Sequence, residues 1–174
     1  MCRTRGLPRR ATVARVHLRW RLAVVTGAGA GVGREVALRL ARAGAGVLVV
    51  DPDLAAADAV AAECATHRVK AWTVQADLRA DRAADDVRLL AARAKDLGGA
   101  DLLVCRAEEA DALLAWFAAG LTTRRGRRDA PGVAVVVGAW HDEAPDGVVV
   151  RAVDDDGEPT EVAVRVVTAL ADTA

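Results

Sequence analysis

The chain has 174 residues, with 24 Lys+Arg against 24 Asp+Glu, so a formal net charge of zero gives no global argument for nucleic acid or a membrane surface. Hydrophobic residues make up 53% and aromatics only 3%, enough for one domain whose core is built mainly from Ala, Val and Leu. No run of about 18 apolar residues occurs, so no membrane span is expected.

In chain order, the first feature is a basic head. Residues 1–33 hold seven arginines (Arg3, Arg5, Arg9, Arg10, Arg15, Arg19 and Arg21) and no acid. Residues 1–20 read as a disordered extension, with a contact to phosphates or an acidic partner as the alternative. Residues 21–174 read as a single domain. Leu22–Thr26 is a first strand, and Val32–Ala43 is a helix with Val36, Ala37 and Leu40 inward, ended by Gly44. Val47–Val50 is a second strand closed by Asp51, and Leu54–Thr66 an Ala-rich helix. Val69–Gln75 is a third strand, followed by a helix capped by Asp81 and running to Leu97. Asp101–Cys105 is a fourth strand, and Ala110–Ala119 a helix ended by Gly120. Arg124–Arg128 is a surface loop, Val133–Val137 a fifth strand and Gly147–Val153 a sixth. Thr160-Glu161 opens a last helix with Val162, Val166 and Leu170 on one side. Apolar strands alternating with helices of 10–15 residues predict an α/β domain with a parallel sheet buried on both faces.

The most specific motif is Thr26-Gly27-Ala28-Gly29-Ala30-Gly31-Val32-Gly33, placed between the first strand and the first helix. Glycine there permits a tight turn and close backbone approach, and the helix N-terminus offers N–H groups and positive dipole to a pyrophosphate. Asp51, 18 residues beyond Gly33, has about the spacing of an acid that accepts the adenosine ribose hydroxyls. Such an acid repels a 2′-phosphate, and no Lys or Arg lies between Gly27 and Gly33 or directly after Asp51. The expected cofactor is therefore NAD in preference to NADP. A glycine-rich turn without a ligand and a solvated strand-end acid are the bland alternatives. The fold class is α/β, Rossmann-like and doubly wound, with a mostly parallel sheet shortened after the fifth strand.

These residues resemble the short-chain dehydrogenase/reductase family. Thr26-Gly27-x-x-x-Gly31-x-Gly33 is similar to its TGxxxGxG signature, Asp77-Leu78 to its acid facing the adenine, and Asp101-Leu102-Leu103-Val104 to its fourth-strand motif. Across about residues 21–107 the resemblance implies cofactor-binding roles for Gly27, Ala30, Gly31, Val32, Gly33, Asp51, Asp77, Leu78 and Cys105. Gly132–Gly138, Gly147–Val153 and Glu158–Ala163 resemble the family's later elements more faintly. The implied activity is oxidation or reduction of a small alcohol or carbonyl. The family usually forms dimers and tetramers, but one of the helices used for that is missing here, so a homo-oligomer stays one option. The scattered cysteines make a reduced cytoplasmic protein the default.

The catalytic half departs from the family. The fourth strand ends Cys105-Arg106-Ala107-Glu108 where the family has Asn-Asn-Ala-Gly, and Gly138-Ala139-Trp140 stands where a serine is expected. The chain has no Asn, Ser or Tyr, and its only lysines are Lys70 and Lys95, so the Tyr-x-x-x-Lys pair is missing. Only Ala139–Asp146 separate the fifth and sixth strand candidates, whereas a parallel crossover usually takes a dozen residues or more. The family's catalytic helix is expected to be missing, with the sixth strand pairing antiparallel or lying at an edge. His141, beside Asp142 and Glu143, is the one candidate acid–base group, against the alternative of a loop histidine. Cys105 as a nucleophile has no base placed for it and reads as a small buried thiol. Cys2, Cys64 and Cys105 have no metal-ligand spacing, so no metal site is expected. A catalytically inactive NAD-binding or interaction module and a degraded gene product stay open as alternatives.

Overall fold

The computed structural model describes residues 18–79, 83–122 and 131–171. Six strands and five helices alternate among the described residues: β1 (Leu22–Thr26), α1 (Gly31–Arg42), β2 (Gly46–Asp51), α2 (Leu54–Ala65), β3 (Ala71–Gln75), α3 (Ala83–Asp96), β4 (Leu102–Arg106), α4 (Ala110–Thr122), β5 (Gly132–Val137), β6 (Val148–Val153) and α5 (Pro159–Ala171). A single 3-10 turn, Ala107–Glu109, joins β4 to α4.

The strands form one sheet in the order β3-β2-β1-β4-β5-β6, parallel throughout. The order reverses direction between β1 and β4, so the crevice beyond their carboxyl ends is the switch point where such sheets take ligands. β1 and β5 are buried along their whole length, which is why, Thr26 apart, they lack the alternation of polar and apolar residues. On one face, α1, α2 and α5 bury Val36, Leu40, Val60, Val166 and Leu170 against Val25, Val49 and Val135. On the other, α3 and α4 bury Leu90, Leu113 and Phe117 against Val24, Leu48, Leu103 and Val136. Fully burying each of these side chains contributes about 1.5–3 kcal/mol, so this layering carries the stability of the fold.

Two expectations are corrected. The helix α4 does not end at Gly120 but runs to Thr122. A glycine inside a helix costs about 1 kcal/mol, but Leu121 one residue on packs on the sheet over Gly132. That apolar contact outweighs the glycine.

The second correction concerns β6. It lies at the sheet edge, as expected for one of the two alternatives, but it pairs parallel to β5, with Gly132 opposite Val148 and Val137 opposite Val153. The rule of a dozen residues assumes a helix in the crossover. Here residues 138–147 return without one. Ten extended residues reach roughly 35 Å, and the six-residue strand they must retrace is roughly 20 Å long. Trp140 packs this link against the α3/α4 face. The Gly132 N–H donates to the Gly147 carbonyl (3.1 Å) and the Gly138 N–H to the Val153 carbonyl (2.9 Å), closing both ends of the pair.

Asp81, the Arg124–Arg128 loop and residues 1–17 of the basic head lie outside the described residues. No helix among the described residues is long and apolar enough to cross a membrane.

Candidate functional site

The β1–α1 turn is shaped by its glycines. Gly27 and Gly31 have φ of +57° and +55°, in the left-handed region that favours glycine. Gly33 serves a different need. A Cβ there would lie 2.2 Å from the Gly27 carbonyl oxygen, so its hydrogen is what lets α1 pack on the turn. Ala30 is the N-cap of α1, with no side-chain cap and no acid in the first turn. No side chain takes up the orphan N–H groups of this helix start, which leaves them to solvent or a ligand.

Asp51 ends β2 beside that turn. Its Oδ2 accepts from the Gly29 N–H (2.8 Å) and its Oδ1 from the Asp53 N–H (3.0 Å). Each carboxylate oxygen has a further lone pair, so the group is oriented without being used up. Asp53 is held separately as the N-cap of α2, its side chain accepting from the Ala55 and Ala56 N–H groups. Asp77 follows β3; its N–H donates to Asp86 of α3 (2.8 Å), and its Oδ1 accepts from the Arg79 N–H (3.1 Å).

These carboxyl-terminal ends surround a cleft of about 180 Å³ lined by Gly27, Ala30, Asp51, Asp77, Leu78 and others. Five of the expected cofactor residues therefore share one cleft. Gly31, Val32 and Gly33 are not on its lining; they open α1 directly behind Ala30. Cys105 is also off the lining. It is 1% exposed in the α3/α4 core, and burial, aided by Glu109 and Glu108, pushes its thiol far above the usual range. Burial, with Glu63 assisting, also pushes Cys64 up to about 11. The thiolate is the reactive form, and a raised pKa keeps both thiols protonated at neutral pH. Neither should take iodoacetamide at pH 8 in the native protein, and both should after unfolding in guanidinium. Peptide mapping by mass spectrometry reads this out, and native labelling of Cys105 would contradict it.

Arg79, Arg106 and Glu109 also line the cleft, in addition to the residues expected from the motifs. Glu109 is 7% exposed, and its Oε2 accepts from the Thr26 hydroxyl (2.5 Å) and the Arg106 N–H (3.4 Å). This ties the end of β1 to the turn after β4. The only signal in the sequence was negative: Arg106 and Glu108 stand where the resembled motif has Asn and Gly. Partial burial works to raise the Glu108 carboxyl, but its backbone hydrogen bond and the Arg106 and Arg79 guanidiniums outweigh that and hold it below its ordinary value.

His141 sits exposed on the β5–β6 link, outside the cleft lining, with no hydrogen bond or ion pair to a described residue. Lys70 directly precedes β3, at the opposite end of the sheet from the cleft, and Lys95 lies in the last turn of α3. No His/Cys/Asp/Glu cluster suited to a metal ion occurs among the described residues.

Residues 21–109, just over half of the chain, match the family model for short chain dehydrogenase. The 1-deoxy-11-beta-hydroxypentalenate dehydrogenase of Streptomyces exfoliatus is 46% identical over 63 residues, covering 36% of this chain and 23% of that protein. The hydroxyacyl-CoA dehydrogenase ChsB1 of Mycobacterium tuberculosis is 41% identical over 98 residues, 53% of this chain and 30% of that protein. The matched stretch is thus about a third or less of these relatives' length. Among solved structures, a metagenomic short-chain oxidoreductase in complex with NADP aligns over 91% of this chain and 92% of its own, with a TM-score of 0.68 and 22% identity. A hydroxysteroid dehydrogenase from Escherichia coli aligns over 71% of this chain and 56% of its own, with a TM-score of 0.61 and 26% identity. The glycine turn, the strand-end acids and the doubly wound sheet agree with these matches, and the chain belongs to the short-chain dehydrogenase family.

Proposed function

We propose that the chain binds a nicotinamide dinucleotide at the cleft beyond β1, β2 and β3, with NAD preferred over NADP, and serves an oxidoreductase acting on a small alcohol or carbonyl. The observation that carries this is Asp51, a carboxylate held at the cleft by the Gly29 N–H at 2.8 Å, one strand over from an uncapped helix start. Gly27, Ala30, Gly31, Val32 and Gly33 would receive the pyrophosphate at α1, and Asp51 the adenosine ribose. Asp77 and Leu78 would face the adenine. A 2′-phosphate beside Asp51 would meet a like charge. The bound cofactor would supply the hydride; the chain would supply orientation and exclusion of water.

The proton of the alcohol is the open part of this function. A general acid–base group must reach the reacting oxygen within about 3 Å. The chain has no tyrosine, both lysines lie away from the cleft, and His141 is exposed on the link. This favours a second reading, a cofactor-binding module that turns nothing over by itself.

One experiment separates them. NADH and NADPH are titrated separately, reading tryptophan fluorescence and melting temperature, and NADH absorbance is followed over a broad carbonyl panel. NADH binding at least tenfold tighter than NADPH is the expected result. Turnover supports the enzyme, and binding without turnover supports the module. No shift with either cofactor at millimolar concentration would overturn both.

A further inference from the structure

Two guanidiniums on the cleft wall stand apart from the glycine turn and the strand-end acids. Arg106 ends β4, and Arg79 lies on the segment between β3 and α3. They are separated in sequence by a strand and a helix, yet both line the cleft that holds Gly27, Ala30 and Asp51. Each is steadied from the turn after β4. The Arg106 Nε donates to Glu108 Oε1 at 2.8 Å, and Arg79 Nη1 lies 3.7 Å from the same oxygen. Arg79 Nε lies 4.0 Å from Glu109 Oε1.

The geometry leaves donors over. A guanidinium carries five N–H donors in a fixed fork and cannot lose its charge at working pH. Arg106 engages Glu108 through Nε alone, and its two Nη atoms have no partner among the described residues. Arg79 makes ionic contacts that are long for hydrogen bonds, and its Nη2 has no described partner. Glu108 thus orients both arginines while consuming one donor of the better-placed one. Both side chains line the cleft and stay about half exposed. Ala30, the N-cap of α1, lines the same cleft, and a helix N-terminus also favours a negative group.

We propose that Arg106, assisted by Arg79, forms a second anion-recognising wall of this cleft and takes the diphosphate of an adenine nucleotide together with the α1 N-terminus. The inference rests on the dinucleotide reading of the cleft and adds a specific residue pair to it. A guanidinium fork matches the spacing of phosphate oxygens, which the amide that the resembled motif has at position 106 could not. The arginines would make affinity depend on the diphosphate common to ADP and NAD. A 2′-phosphate is the other source of the same chemistry, and the test separates the two.

The experiment is calorimetric titration of the full chain with ADP, NAD+ and NADP+, on the wild type, Arg106→Met, Arg106→Lys and Arg79→Met, with the melting temperature of each variant. Arg106→Met should weaken ADP and NAD+ by a common factor of about ten, the worth of one charge-assisted hydrogen bond. Arg106→Lys should recover part of that, and Arg79→Met should show a smaller loss in the same order. Arg79→Met carries the test if Arg106→Met does not melt cooperatively. Unchanged ADP and NAD+ affinity in both Met variants, or a loss confined to NADP+, would overturn the proposal and leave the dinucleotide reading standing. A wild type that binds none of the three overturns both.

Discussion

Gly33→Ala is expected to abolish the NADH-induced thermal shift and to lower the melting temperature by about 8 °C, the equivalent of about 3 kcal/mol in a domain of this size. The reason is a backbone collision. The added Cβ would stand 2.2 Å from the Gly27 oxygen, 2.8 Å from its carbonyl carbon and 2.9 Å from the Ala28 Cα. No rotamer relieves it, so α1 must move off the turn, and its N-terminal N–H groups move with it. Alanine at Gly27 or Gly31 is a milder change. Nothing lies within 4 Å of either Cβ, and the cost is the left-handed φ alone, roughly 1–2 kcal/mol. A Gly33→Ala protein that melts within 1 °C of wild type would show that the close packing of α1 on its turn is not what holds this segment.

Asp51→Ala should change cofactor choice more than stability. The carboxylate accepts two backbone N–H groups, from Gly29 and Asp53. Its removal leaves those donors to water, at about 1–2 kcal/mol in all because the site is only partly buried. Binding loses more: the two ribose hydroxyls of NADH lose their acceptor, while the 2′-phosphate of NADPH no longer meets a like charge. NADH is expected to weaken about 30-fold, and the ratio of NADPH to NADH dissociation constants to fall by at least tenfold. A ratio equal to that of wild type, with both cofactors still bound, would remove Asp51 from cofactor selection.

The parts of the fold legible in the sequence are those set by local chemistry. β1 is found at Leu22–Thr26, because the apolar run Leu22–Val25 between Arg21 and the Thr26-Gly27 turn leaves little choice of bounds. The glycine turn and Asp51 are legible for the same reason, since spacing and strand–turn–helix order suffice to bring them together. The misjudged features depend on distant partners. The end of α4 is set by Leu121 lying over Gly132, not by Gly120. The direction of β6 is set by an extended return that a residue-counting rule does not foresee. Arg79, Arg106 and Glu109 meet only because β3 and β4 end on the same side of the sheet, and nothing near either arginine in sequence announces it.

The helix-free link between β5 and β6 has a consequence for how much chain this architecture can carry. The strand pair is already in full parallel register with ten residues between its ends. Loop-closure entropy grows only as the logarithm of length, by about 0.6 kcal/mol for each doubling. Lengthening this joint severalfold would therefore cost the sheet little, and shortening it further would strain its reach. The joint opens at Gly138, whose Cβ position lies 3.3 Å from the Ala107 Cβ just after β4. Anything spliced in there would emerge beside the cleft wall. Residues 138–147 are thus a joint at which added chain would leave the sheet intact and stand next to the turn after β4.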